Sequence, residues 1–214
     1  MEQKIAEFIT DLVLYSGILP ALVGLFNTRQ LRNNQKAILL LVLLSIATEV
    51  AVYWIAYNSG LHNIVFYLFT IAEFTLLAYV FTQNWERNDK TKVAWIAIIF
   101  FTLFVLLDML YLSGIEQFNS YSTSVEALLL IGFALSFFYI TLRELKIKYL
   151  EREPLFWIST GVLLYFASSL FIFLFTNTVN ASMEALFIIW GIHGIFRILL
   201  NIFYSIALWI RVPG

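Results

Sequence analysis

The sequence predicts an all-α, polytopic membrane protein, a seven-transmembrane-helix bundle with its N-terminus outside and its C-terminus in the cytoplasm. Three observations predict it. Hydrophobic residues make up 61% of the chain and charged residues 13%, with a mean hydropathy of +0.86, against about 45–50% and about 25% in soluble domains. Seven apolar stretches can be read at about 5–26, 37–57, 63–84, 93–113, 123–142, 155–176 and 184–210, each close to the roughly 20 residues a membrane helix needs. The charges between them alternate by side. Eleven of the 13 Lys and Arg fall on one side, Lys4 falls on the other and Arg197 lies within a span, so the positive-inside rule sets the orientation. Little chain remains outside the spans, so residues 1–214 are expected to form a single transmembrane domain.

Taken in order, the first span starts from MEQKIAEFITD, which lacks the basic start and small-residue cleavage site of a signal peptide, so it is expected to persist in the mature protein. Pro20 predicts a kink in its second half. A basic loop with Arg29, Arg32 and Lys36 leads to the second span, and the uncharged turn NSGLHN leads to the third. Arg87, Lys90 and Lys92 precede the fourth span. An acidic connection with no base, SGIEQFNSYSTS, precedes the fifth; Arg143, Lys146, Lys148 and Arg152 precede the sixth; and NTVNASM precedes the seventh. Trp85, Trp95, Trp157 and Trp209 fall near the predicted cytoplasmic ends, as an interfacial aromatic belt requires.

The polar residues inside these spans are the candidate site. In the last span Trp190, His193, Arg197, Asn201 and Tyr204 recur every three or four residues, which puts them on one helix stripe. A guanidinium in mid-bilayer costs at least about 2.5–3.5 kcal/mol. Arg197 is therefore expected to point into the bundle. Counting residues at about 1.5 Å each brings Glu49 and Glu73 to a similar depth. Glu49 stands four residues from Ser45 and from Tyr53, and Glu73 shares a face with Thr70 and Phe66. The expected arrangement is a buried network in which Arg197 clasps one carboxylate in bidentate fashion and the other acid meets His193 or a proton. Asp108, deep in the fourth span, is the best further candidate. The ligand- or proton-binding set is thus Glu49, Glu73, His193, Arg197, Asn201, Trp190, Asp108 and Tyr53. The simpler alternative is an ion pair that only joins helices.

Asp11, Asn58, His62, Asp108, Glu116, Glu126 and Glu184 lie toward the outside. Gathered together they would form an acidic vestibule that favours cations or amines over anions. Taken singly, Glu116, Glu126 and Glu184 read as helix-end residues in water.

Several classes are excluded. The chain has no cysteine, which removes thiolate metal sites, disulfides and cysteine nucleophiles. No His pair at four residues and no Glu-x-x-His pattern supports a metal, and neither a metal nor a cofactor is expected. The last span has no lysine for a retinal Schiff base. Nucleotide-binding glycine patterns and hydrolase motifs are absent, and no nucleic-acid partner is expected.

The stretches ATEVAVYW, FYLFTIAEFTLL, FWISTGVLLYF and IIWGIHGIFRILLNIFYSIALW resemble the small seven-helix membrane proteins of Bacteroidetes-type bacteria. The likeness runs over nearly the whole chain. Glu49, Glu73, the Phe-Trp-Ile of the sixth span and His193 fall in its recurring patterns, whereas Asn often stands where this chain has Arg197. The resemblance implies a multi-pass protein of the bacterial inner membrane. Through the histidine kinases that accompany such proteins, it also implies a signalling partner; it implies no particular reaction.

The functional expectation is a sensor that binds a small ligand or a proton at the mid-membrane site and signals to a cytoplasmic partner. Membrane lipids are expected around it, and a homodimer is open to its apolar faces. The alternative is a small-solute or proton-coupled transporter built as three helices, a linker helix and three more. An intramembrane lipid enzyme ranks last, for want of a nucleophile.

Overall fold

The computed structural model describes residues 12–58, 62–82, 88–115, 119–145, 149–175 and 183–211. Among them are seven α-helices and no strand: α1 (Ile18–Asn27), α2 (Asn33–Asn58), α3 (His62–Thr82), α4 (Asn88–Leu107), α5 (Ser120–Glu144), α6 (Pro154–Phe175) and α7 (Met183–Trp209). Six helical spans are long and apolar enough to cross a membrane, the first of them counted over Leu12–Gln30, which takes in α1 and the helical turns on either side of it. In α6 the qualifying apolar run, Pro154–Leu170, is shorter. Large apolar side chains such as Phe26, Leu110, Tyr111, Ile96 and Trp209 stand exposed around the bundle. A soluble monomer rarely carries so much contiguous apolar surface, and lipid would cover it. Asp11, Trp85, Arg87, Glu116, Lys146 and Lys148 lie outside the described residues, as do the side chains of Asn58, Lys90, Glu184 and Trp190.

The helix ends follow from their residues. Pro20 cannot donate to Ser16, and its ring clashes with that carbonyl. The helical run at 12–16 accordingly breaks at Gly17 before α1 begins. Gln35, wholly buried, serves two helix ends at once. Its Oε1 accepts the Arg32 amide at 2.9 Å in the manner of a capping box, while its Nε2 donates to Ala207 O at 2.7 Å and Ile210 O at 3.0 Å at the end of α7. Pro154 opens α6, where its missing amide costs nothing. α4 ends in a wider π turn, Asp108–Leu112, followed by Gly114 at φ +71°, a left-handed conformation that suits glycine.

Six helices close a ring in the order α1, α2, α3, α5, α6, α7, and α7 returns to α1; α4 packs outside, on α3 and α5. Side-chain contacts give the directions. α1 runs parallel to α7, since Ser16 meets Asn201 and Gly24 faces Leu208. α3 runs parallel to α5, since Asn63 meets Ile115, Thr70 meets Asn119 and Phe81 meets Phe133. α2 and α6 run against α7: Gln35 reaches Ala207 and Arg197 reaches Glu49, while Gly161 faces Leu200 and Ser169 reaches His193. The upper end of the ring therefore gathers the starts of α3, α5 and α7. The lower end gathers the start of α2 and the ends of α3, α5 and α7.

The lower half is packed solid. Phe74 lies 4.3 Å from Phe101 and 6.2 Å from Phe133, ring centre to ring centre, which binds α4 to α3 and α5. Leu77, Ile158, Val162, Ala207 and Leu208 are fully buried beside them. Two glycines bring backbones together there. A Cβ at Gly161 would stand 3.0 Å from Phe203 Cβ, and one at Gly24 would strike Leu39, the close approach that small residues allow between membrane helices. Of the predicted belt, Trp95 and Trp209 are exposed. Trp157 is instead half-buried, stacked on Phe203 with its indole N–H donated to Glu151 O at 3.0 Å.

Candidate functional site

The upper half of the ring encloses a cavity of about 390 Å3, within the span of roughly 300–1,000 Å3 usual for small-molecule sites. Five helices line it. α2 contributes Ser45, Thr48 and Glu49; α3 contributes Phe66, Phe69, Thr70 and Glu73; α7 contributes His193 and Arg197. Thr123 and Glu126 come from α5, with Asn119 just before it, and Tyr165 and Phe166 come from α6. α1 and α4 are not among its walls. The polar stripes expected from sequence on α2, α3 and α7 thus converge: Glu49, Glu73, His193 and Arg197 share one cavity.

Their pairing differs from the expected bidentate clasp. Arg197 Nη2 donates its short bond, 2.7 Å, to the neutral hydroxyl of Ser45 and stands 3.4 Å from Glu49 Oε1. The contact with the acid is a single long one, because Ser45 lies one turn nearer on the same face of α2. His193 is held by α6. Its Nδ1 lies 2.8 Å from Ser169 Oγ and its Nε2 lies 3.3 Å from the Tyr165 hydroxyl. Two hydroxyl partners fix the plane of the ring, and its tautomer sets which nitrogen donates.

Glu73 faces the cavity within electrostatic reach of Arg197. It makes no hydrogen bond among the described residues. A second, much smaller space of about 20 Å3 lies beneath, between Glu49, Glu73, Arg197, Asn201 and Tyr204, roomy enough for about one water molecule. Asn201 belongs to this lower space; its amide donates to Ser16 Oγ at 2.7 Å and ties α7 to the turn before α1. Ser45, Glu49, Phe69, Glu73 and Arg197 line both spaces.

Two of the expected site residues are elsewhere. Tyr53 is 76% exposed on the outer surface of α2. Each step of four residues turns an α-helix by about 40° beyond a full circle, so Tyr53 has rotated off the stripe that Ser45 and Glu49 share. Asp108 is 0% exposed but does not line this cavity. Its carboxylate accepts from the Ser113 amide at 3.2 Å and from both the amide, at 2.9 Å, and the hydroxyl of Ser122. It fastens the π turn of α4 to the first turn of α5. Trp190 stands on α7, but its side chain is outside the described residues.

One further acid belongs to the site, Glu126, for which the sequence left open a place in an outer vestibule or at a helix end in water. Glu126 is only 2% exposed, lines the cavity, and has an Oε1 with no hydrogen-bond partner among the described residues. The signal was available in the spacing Asn119, Thr123, Glu126, a polar stripe at i, i+4 and i+7. α5 begins at Ser120, three residues earlier than the predicted span, which carries Glu126 about two turns into the helix. His62 packs edge-on against Phe66 at 6.4 Å near the upper rim.

Three carboxylates and one guanidinium therefore share a cavity whose remaining walls are largely aromatic and hydroxylic. The set can hold positive charge or protons. It presents no group activated as a nucleophile, and no cluster of three metal-ligating side chains occurs among the described residues. Comparison of the chain with protein-family models, with curated proteins and with solved structures finds no match to any of them.

Proposed function

We propose that the protein is a seven-span sensor of the bacterial inner membrane that binds a small ligand in the mid-bundle cavity. Binding shifts the surrounding helices, and the shift is read by a cytoplasmic partner. The observation that carries this reading is the asymmetry of the ring: a charged cavity in the upper half over a packed lower half. Arg29, Arg32, Lys36, Arg143, Arg152 and Arg211 flank the lower end. The positive-inside rule then makes that end cytoplasmic and the cavity end external. Ligand contacts to α2, α3, α5, α6 and α7 are made at one level, so a small change in the cavity is carried through Gln35 and the close approach at Gly161 to the basic end.

The test is native mass spectrometry of the wild type, Glu73→Gln and Arg197→Ala, all purified in mild detergent, with identification of any retained molecule. A molecule held by the wild type and lost from both variants, with circular dichroism unchanged, is the expected result. If nothing is retained and both variants unfold, the charged groups serve only to hold helices together.

Transport is the second reading, and one observation favours it. α4 stands outside the ring, which leaves α1 to α3 and α5 to α7 as two three-helix halves, the arrangement of a parallel repeat. Solute flux into liposomes that disappears in Glu73→Gln would select this reading over sensing.

A further inference from the structure

We infer that the corner of the cavity formed by Glu73, Glu126 and Asn119 recognises a small organic cation, a primary ammonium on an apolar or aromatic skeleton. This rests on the cavity being a ligand site and adds the chemical class of the ligand. Arg197 donates to Ser45, stands beside Glu49 and has Glu73 in its electrostatic reach, which leaves Glu126, next to Glu73, without a cation contact among the described residues. The two acids project into one space from adjacent, parallel helices. The Asn119 amide, by donating to Thr70 Oγ1 at 2.9 Å, ties the start of α5 to α3 at the cavity wall.

The hydrogen-bonding inventory of this corner is one-sided. Glu126 Oε1 and Asn119 Oδ1, on side chains 2% and 1% exposed, have no donor among the described residues. The Thr123 hydroxyl, the nearest on α5, is turned back to the carbonyls of Asn119 and Ser120 at 3.1 Å each. Two acceptors without a donor thus stand beside the carboxyl group of Glu73. An ammonium supplies what is missing, three N–H donors and a positive charge. Water would meet the hydrogen bonds but not the charge. Phe66, Phe69 and Phe166 wall the same cavity; their faces attract a cation and their area suits an apolar skeleton. An anion would meet two carboxylates at close range.

The experiment is isothermal titration of the full chain in lipid nanodiscs with three matched series: primary amines from butylamine to 2-phenylethylamine, the alcohols of the same skeletons, and the carboxylates. The amines are expected to bind at least about tenfold tighter than the alcohols, the carboxylates not at all, and Glu126→Gln and Glu73→Gln each to abolish that preference, as loss of one partner of a buried charge pair does. The glutamine variants keep side-chain shape, and circular dichroism checks their folding. Amines and alcohols binding equally would overturn the ammonium site yet leave the cavity as a ligand site, with the two carboxyls neutral. Binding of none of the three series would overturn the ammonium site as well; the sensor reading would then stand or fall on the mass-spectrometric result alone.

Discussion

Replacing Asp108 with alanine should destabilise the fold by about 3 kcal/mol while leaving the cavity's ligand in place. In the structure its carboxylate receives the Ser122 amide at 2.9 Å, the Ser122 hydroxyl, and the Ser113 amide at 3.2 Å. The Ser113 amide is not stranded by the substitution, because it also bonds Asp108 O at 3.1 Å. The loss falls on Ser122. Two buried donors without an acceptor cost about 1–3 kcal/mol each, and part is returned because a carboxylate no longer has to be desolvated. Ser122→Ala removes only the hydroxyl bond, for about 1.5–3 kcal/mol, since that bond is to a charged group. A double-mutant cycle on the two positions should therefore show coupling of about 1–3 kcal/mol. Reversible unfolding by sodium dodecyl sulfate in mixed micelles, followed by circular dichroism, measures all four proteins. Additive effects, or an Asp108→Ala cost below about 0.5 kcal/mol, would refute the clasp. Loss of the retained ligand at unchanged fold would show that Asp108 belongs to the binding site after all.

Two further substitutions test the lower half. Gln35→Leu strands the carbonyls of Ala207 and Ile210 and the Arg32 amide, and the same unfolding assay should show a loss of about 2–4 kcal/mol; an unchanged midpoint would mean the two helix ends are capped in another way. Gly161→Ala brings a methyl to 3.0 Å from Phe203 Cβ and 3.1 Å from Leu200 Cδ1. Overpacking of that kind costs about 1–3 kcal/mol, so an alanine variant at least as stable as the wild type would show that α6 and α7 can part without penalty.

The helices were legible because most of them lie in runs of about 20 apolar residues, and that signal survives any arrangement of the bundle. The mid-membrane set was legible for a related reason: an Arg, a His and two Glu on helical stripes have few places to go except inward. What periodicity could not show was rotation and order. Tyr53 shares a spacing with Glu49, yet the accumulated turn of α2 carries it to the outer surface. Asp108 looks like any deep acid until the π turn bends the chain back and puts Ser122 on top of it. Glu126 was hidden by a helix start placed three residues late. The exclusion of α4 from the ring depends on contacts between distant segments, which no single-span pattern carries. The glycine at 161 was no more visible, since its meaning lies in Phe203.

The placement of the guanidinium has a consequence for biosynthesis. Glu49 and Arg197 are 148 residues apart, so at about 5–20 residues per second the ribosome delivers the cation roughly 7–30 s after the acid. Through most of that interval α2 and α3 have been made, with Glu49 and Glu73 and without Arg197. An ionised carboxylate at mid-bilayer costs about 2.5–3.5 kcal/mol, which only a proton, water or an insertion factor can offset. A nascent chain stopped after α6 would carry both acids with no internal cation. Such a chain lacks the contacts of Arg197 with Ser45 and Glu49 until α7 arrives.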